Sequence, residues 1–472
     1  LNARLIGLTH RLILRAGEVL REIGVSAPLM VVRGDGALMS AAQAEAAPIE
    51  TILSGPAASL VGARWLTGAD RALVSDIGGT TTDVALLRDG KPAIDPAGAR
   101  VGPWRTMVEA VAMRTHGLGG DSEVKIRTEG LAGGVTLGPK RVVPVSLMAV
   151  DAPDVVLPAL EAQLRGPVPM EHDGRFVRAV AGQDLAGLGT REAELLARIG
   201  DAVLPLGKVL RTRIEGQALA RLVARGLVQV SGVTPTDAVH VLGKVAAFDA
   251  GAAGMALEIM ARRRVGSGDR VAPDAAALAQ TIVDEMTRAT GQVLLEAALA
   301  EDGWEGDPAA LAGHPLMQAG LAGHRGLLEV SARMAVPVVG LGASARCYYP
   351  AVGGMLGAQM ILPEAGGVAN AIGAVVGRIT VRRQGVVTAP GEGRFRVHLA
   401  EGPEDFADRE LALARLETVL RDQARAEVTE AGAAEITVSV EKDIRVAQAE
   451  NREMFLEATV VVEASGRPRI AS

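Results

Sequence analysis

The chain has 472 residues, of which 49% are hydrophobic and 22% charged, a globular composition long enough for two or three domains and a sizeable core. Only 2% are aromatic, so alanine, valine, leucine and 57 glycines must build that core by close packing of small side chains. A net charge of −6 gives no basic excess for a nucleic-acid groove or an anionic membrane surface. The single cysteine, Cys347, excludes an internal disulfide framework and any multi-cysteine metal site. No apolar run approaches the ~20 residues of a bilayer span. Val245–Met260 is the most apolar helical stretch, and Asp249 and Glu258 interrupt it. A cytoplasmic protein is expected.

Leu1–Ile23 reads as an amphipathic helix, with Leu5, Leu8, Leu12 and Ile13 set against Arg4, Arg11 and Arg15, and Gly24 as its stop. A chain that opens inside a helix, and on Leu1, looks like part of a longer one. Pro28–Val32 predicts a short strand, followed by the turn-rich Arg33-Gly34-Asp35-Gly36. Ser54-Gly55-Pro56 opens an alanine-rich helix within Pro48–Leu66. Arg71–Asp76 and Val84–Leu87 read as two strands joined by the turn Gly78–Thr82, a hairpin with a polar, glycine-containing tip. From Gly182 to about Ala261 the pattern is helical, with Thr234-Pro235-Thr236-Asp237 as a helix start. Asp274–Ala300 continues it. Val336–Val339 is a buried-type strand, Gly340–Ala345 a small-residue loop leading to a helix near Tyr348–Leu356, and Met360–Leu362 a further strand. The last segment has strands near Arg394–Leu399, Glu435–Val440 and Phe455–Glu463, with a charged amphipathic helix, Asp408–Glu427, between the first two. The loops Glu301–Pro308 and Ala389–Glu392 are the best boundaries.

The densest chemistry lies in Val74-Ser75-Asp76-Ile77-Gly78-Gly79-Thr80-Thr81-Thr82-Asp83-Val84. Two glycines admit an anion close to the backbone, and three hydroxyls with several amides can donate to phosphate oxygens. Asp76, at a strand end, is placed to hold Mg²⁺ through water, because magnesium takes oxygen ligands and keeps its waters. Asp83 would cap the other side of the turn. Read alone, the segment also suits a Gly-Gly-Thr hairpin that binds nothing.

This hairpin resembles the second phosphate-binding hairpin of the actin, sugar kinase and Hsp70 ATPase superfamily. Together with the preceding Pro48-Ile49-Glu50-Thr51-Ile52-Leu53-Ser54-Gly55-Pro56-Ala57-Ala58, it resembles the hydantoinase A/5-oxoprolinase family in particular. Three implications about the chain's parts follow. His116-Gly117-Leu118-Gly119-Gly120-Asp121-Ser122 stands where that family carries a glycine-rich turn, although relatives often have a further glycine at Asp121. Val338-Val339-Gly340-Leu341-Gly342-Ala343-Ser344-Ala345 resembles the superfamily's adenosine motif, a strand and a small-residue loop before a helix, with the usual double glycine spread to Gly340 and Gly342. Pro363–Gly373 resembles the segment that closes the ATPase domain. Each glycine loop also suits an ordinary turn or a close helix–strand crossing.

The fold implied is α/β, an actin-like (ribonuclease H-like) ATPase fold, incomplete, with a helical insertion and a small C-terminal α+β unit. Its parts would be 1–70, the remainder of a preceding ATPase segment; 71–180, around the phosphate hairpin; 181–330, mainly helical; 331–378, the adenosine-motif segment; and 379–472, the terminal unit. The resemblance implies ATP and Mg²⁺ as cofactors, Asp76 as catalytic and metal-holding residue, and Gly78, Gly79, Thr80, Thr81, Thr82, Gly119, Gly120, Gly340, Gly342 and Ala343 around the nucleotide. It implies ATP-dependent activation of a carbonyl or amide oxygen, typically to open a cyclic amide such as a hydantoin or 5-oxoproline, beside a second, hydantoinase B-like subunit. A non-catalytic nucleotide-binding module and an ATP-dependent ketone carboxylase subunit are the alternatives. The superfamily's first phosphate hairpin is not visible and would precede Leu1. The histidines are scattered; His240 reads as a satisfied core residue, and His116 deserves a test because it adjoins a glycine loop. Met39, Met107, Met113 and Met255 read as core filler.

Overall fold

The computed structural model describes residues 2–95, 97–101, 104–106, 108–127, 133–391, 393–449 and 452–468. Met107 and the boundary residue Glu392 lie outside them. The chain divides into two compact units, one of residues 69–89 and 113–368, the other of residues 1–68, 90–112 and 369–472.

The first unit is organised by the strand Ala72–Ile77, in which every residue but Asp76 is buried. Such a continuous run suits a central strand covered on both faces. Thr82–Arg88 flanks it antiparallel and Val338–Leu341 flanks it parallel, with Met113–His116 and Met360–Ile361 beyond them. The long helix Ala275–Glu301 packs on this sheet and against the helix Ala345–Leu356. Asp274 caps the long helix, accepting from the Ala277 amide at 2.8 Å. Tyr349, on the second helix, is fully buried, and its hydroxyl donates to the Ser75 carbonyl at 2.7 Å.

The helical reading of Gly182–Ala261 needs correction. Helices Thr190–Ile199, Glu215–Ala224, Pro235–Val241 and Ala250–Ala261 are present, but the strands Leu204–Pro205 and Val228–Gly232 interrupt them. Gly226, at φ +71°, ends the preceding turn and lets Val228-Gln229-Val230-Ser231 pair with Phe176–Ala179. Thr234 starts its helix as expected, with a capping box to Asp237. The Asp237 carboxylate is fully buried and also accepts from the amides of Val145 and Ser146, so it ties together the starts of two helices. His240 is held on both nitrogens, by the Thr236 carbonyl at 2.7 Å and the Phe248 amide at 3.0 Å, as a structural histidine should be.

In the second unit, the strands Met30–Val32, Leu38–Ser40, Ile379–Gly391, Arg394–Leu399, Gly402–Phe406, Ala433–Ala449 and Arg452–Pro468 form one sheet. The helix Arg409–Glu430 lays Leu413, Leu416, Leu420, Ala424 and Val428 against it and keeps its charged face outward. The helix Ser54–Thr67 crosses the helix Ala369–Val376 at glycines: a Cβ on Gly62 would lie 1.9 Å from the Ala369 carbonyl oxygen, and one on Gly373 would lie 1.8 Å from that of Ala58. No helix of the described residues is long and apolar enough to cross a membrane.

Candidate functional site

At the tip of the hairpin, the Gly78 amide donates to the Thr81 carbonyl at 2.9 Å and closes the turn. Gly78, Gly79 and Thr80 are exposed. The Gly79 and Thr80 amides find no acceptor among the described residues. The tip therefore offers open donors on a short, rigid support.

The second glycine loop docks directly on this tip. Gly120 donates to the Gly78 carbonyl at 3.0 Å and Asp121 to that of Gly79 at 2.8 Å. A Cβ on Gly119 would lie 2.6 Å from the Gly79 carbonyl, so only glycine permits the approach. This corrects the expected role of Gly119 and Gly120. Both are buried, the Gly119 amide is spent on Ser122 Oγ at 2.9 Å and the Gly120 amide on the hairpin, so they brace the tip and offer a ligand nothing. Thr82 is corrected likewise: it is fully buried and donates to the Leu118 carbonyl at 2.7 Å.

The small-residue loop after the strand Val338–Leu341 reaches the same place. Parallel pairing sets Leu341 beside Asp76. Gly342 follows at φ +104°, where a Cβ would lie 2.2 Å from the Ile77 carbonyl oxygen and 3.3 Å from Asp76 Oδ1. Its amide donates to the Gly366 carbonyl at 3.1 Å, which joins the Pro363–Gly373 segment to the loop. Ala343 is exposed beside Gly367. Gly340, however, lies inside the strand, and a Cβ there would meet the Tyr349 ring at 2.5 Å. It is a packing glycine, which removes it from the ligand set.

Two carboxylates stand side by side below the tip. Asp76 and Asp83 are direct cross-strand partners, so their side chains share one face of the hairpin at a Cβ spacing of about 5 Å. Asp83 Oδ2 accepts from the Thr81 hydroxyl at 3.3 Å, while Oδ1 is buried with no hydrogen-bond partner among the described residues. Burial raises the Asp83 pKa above its ordinary value, against the opposing pull of hydrogen bonds from Thr115 and Thr81 and of the nearby His116. Two acidic groups with an orphaned oxygen form a donor set suited to a hydrated hard cation. The described residues contain no cluster of three or more acidic, histidine or cysteine ligands.

Neighbouring groups complete the surroundings. His116 pairs with Thr82 in register, on the face away from Asp83, and its Nε2 lies 3.0 Å from Glu296 Oε2 on the long helix. The Asp121 carboxylate overhangs Gly79 and accepts from Arg141 Nη2 at 3.0 Å. Burial raises its pKa, and Arg141 and Thr236 oppose the shift. Sequence reading passed over Thr115 and Glu296, whose signal lies in strand pairing and in a helix 180 residues distant from His116. Volume does not single out this site. Cavities of about 610 and 350 Å³ lie in the unit built on the terminal sheet, and one of about 830 Å³ lies between Asp154 and Lys208; none of the three is lined by these residues.

Comparison with known proteins now adds to the geometry. A family model described as hydantoinase/oxoprolinase matches residues 1–295. No curated protein sequence matches significantly. Among solved structures, the chain is similar to nucleotide-free acetone carboxylase, described as catalysing ATP-dependent acetone carboxylation, with a TM-score of 0.52 and 15% identity over 96% of this chain and 55% of that one. It is also similar to an ATP-dependent caprolactamase from Pseudomonas jessenii, with a TM-score of 0.49 and 15% identity over 100% and 57%. The chain spans a little over half the length of each. The likeness to acetone carboxylase is one of fold, a mixed α/β arrangement of sheets and helices.

Proposed function

We propose, for a chain that belongs to the hydantoinase/oxoprolinase family, that it uses ATP to activate a carbonyl or amide oxygen for the hydrolysis of a cyclic amide of hydantoin or 5-oxoproline type. One observation carries this reading: the exposed tip with its open amides, the Asp76–Asp83 pair and the Gly342–Ala343 rim converge on one edge of the sheet. The Gly79 and Thr80 amides and the Thr80 hydroxyl would bind phosphate oxygens, the Thr81 hydroxyl being spent on Asp83. Asp76 and Asp83 are the residues that would hold Mg²⁺, since a pair of carboxylates with a buried unpartnered oxygen suits a hard cation. The bound cation would neutralise charge that develops on the transferring phosphoryl group. The exposed Ala343 would leave room for the nucleoside, while Gly342 lets the loop pass against the Ile77 carbonyl. The hairpin, continued antiparallel by Met113–His116 on one side and parallel by Val338–Leu341 and Met360–Ile361 on the other, suits one half of an actin-like ATPase fold.

Phosphorylation of the amide oxygen makes its carbon electrophilic: one water would add there, the ring C–N bond would break with the proton passing to nitrogen, and a second water would hydrolyse the resulting acyl phosphate to carboxylate and phosphate. A second, hydantoinase B-like subunit would complete the enzyme. The test is phosphate release from ATP·Mg²⁺ with and without that subunit, against hydantoin, 5-oxoproline and a ketone with bicarbonate. Release stimulated by a cyclic amide and lost in Asp76→Ala supports the reading. Stimulation only by ketone and bicarbonate would make the chain a carboxylase subunit, and equal release by wild type and Asp76→Ala would reduce the hairpin to a turn.

A further inference from the structure

Across the central sheet of the first unit the strands stand in the order Met113–His116, Thr82–Arg88, Ala72–Ile77 and Val338–Leu341. Antiparallel pairing of the first three and parallel pairing of the last bring three loops to one end of that sheet. They are the second glycine loop, the hairpin tip and the Gly342–Ala343 rim, in that order. A nucleotide with its nucleoside at the rim and its phosphates over the tip therefore ends at the second glycine loop. Arg141 stands there. It closes the strand Val135–Arg141 and pairs with Ser122 in register. Its Nε and Nη2 donate to the same oxygen, Asp121 Oδ2, at 3.2 and 3.0 Å. A Cβ on Gly79 would lie 2.6 Å from that oxygen, so one carboxylate oxygen bridges the guanidinium and the tip glycine. The Asp121 backbone is fixed as well: its amide donates to the Gly79 carbonyl at 2.8 Å, and its carbonyl accepts from the Val142 amide at 3.0 Å. Arg141 Nη1 has no partner among the described residues, and the side chain is 63% exposed. An exposed ion pair adds at most about 1 kcal/mol to stability, so the fold has little use for this one. A bare carboxylate at the tip would repel a phosphate. Paired with Arg141, it carries no net charge and holds a guanidinium whose remaining donors are open.

We propose that Arg141 binds the terminal phosphate of the nucleotide, with Asp121 as the residue that positions it. This deepens the nucleotide reading and rests on it. Arginine suits the task because its planar fork keeps its charge and offers more N–H donors than the contacts to Asp121 use. The inner phosphates stay with the Gly79 and Thr80 amides, so the loss of Arg141 falls on ATP and spares ADP.

The test is calorimetric titration of the chain with ATP·Mg²⁺ and with ADP·Mg²⁺ at low salt. Arg141→Gln should weaken ATP by about tenfold and leave ADP within about twofold of wild type. Its melting temperature should not change, because the side chain is exposed. Asp121→Asn separates positioning from scaffolding. In the wild-type background it should weaken ATP by about threefold, because the guanidinium loses its hold. In the Arg141→Gln background it should strengthen ATP, because the carboxylate there repels phosphate without compensation. Unchanged ATP affinity in Arg141→Gln would overturn the site, and equal weakening of ATP and ADP would overturn the assignment to the terminal phosphate. An Asp121→Asn effect of the same sign in both backgrounds would overturn the positioning role. A wild type that binds neither nucleotide would instead bring down the nucleotide reading, and this inference with it.

Discussion

Asp237 and Asp83 are both withdrawn from water in the same unit, and burial raises the pKa of each, yet their surroundings differ in kind. Asp237 accepts from the Val145, Ser146 and Thr234 amides and from the Thr234 hydroxyl, at 2.8–3.2 Å. Its oxygens are occupied, and two helix starts depend on them. Asp83 is approached by Thr81 and Thr115 and yet keeps a buried oxygen without a hydrogen-bond partner among the described residues, directly across the hairpin from Asp76 in register. A fold gains nothing from an unsatisfied buried carboxylate oxygen beside a second carboxylate. The first aspartate is a joint in the scaffold, and the second has the unmet valence expected where something binds.

The strongest way to break that contrast is Asp76→Ala. If the hairpin carboxylates serve chemistry, substrate-stimulated phosphate release should fall by ~10³-fold, about 4 kcal/mol of barrier, with the melting temperature essentially unchanged. A parallel loss of stability and activity would place Asp76 with Asp237 as a structural residue. The reciprocal change, Asp237→Ala, should cost about 3 kcal/mol of stability, because four donors at two helix starts lose their acceptor together. Chemical denaturation reads it directly. A cost under ~1 kcal/mol would mean that the helix starts do not depend on this carboxylate.

Local structure was legible where composition and capping spoke plainly. The hairpin, the Thr234 helix start and the Asp274-capped helix all follow from residues adjacent in sequence. What stayed hidden depends on pairing. Nothing near Gly119 or Gly340 announces that one lies on Gly79 and the other under Tyr349, since glycine serves a phosphate and a tight crossing by the same lack of a side chain. The threonines of the tip look alike in sequence, but Thr82 opens the strand and is buried against the Leu118 carbonyl, whereas Thr80 stands in the exposed turn before it. The strand Val228–Gly232 was lost in a helical background because its period-two pattern is only a few residues long. The joining of residues 1–68 to residues 369–472 in one unit is a long-range event that no local pattern encodes.

The two threonines give a finer test. Thr82→Val should cost about 1 kcal/mol of stability, since the Leu118 carbonyl loses its donor inside the fold. Thr80→Val should leave stability within about 0.5 kcal/mol of wild type and instead raise the KM for ATP. Thermal melts and steady-state phosphate release on the same pair of variants separate the two effects. An unchanged KM in Thr80→Val would mean that the tip hydroxyl does not touch nucleotide.

The smallest effect sharpens the opening contrast most. Burial lifts the Asp83 carboxyl above its ordinary 3.8, so the folded chain holds that proton more tightly than the unfolded chain does. As pH rises from 3.8 through the raised value, the unfolded state has already released the proton and the folded state has not. Stability contributed by this group therefore falls with rising pH, and at neutral pH ionised Asp83 is a standing cost. Asp83→Asn removes the titration and eases the opposition to Asp76. The variant should melt roughly 1–2 °C above wild type at pH 7, and that margin should shrink towards nothing as pH drops below 3.8. Millimolar Mg²⁺ should then raise the wild-type melting temperature and leave that of Asp83→Asn where it was, because a cation bound by the folded state alone stabilises it by mass action. A wild type that melts above the variant at pH 7 without Mg²⁺ would show that Asp83, like Asp237, is already satisfied by the fold.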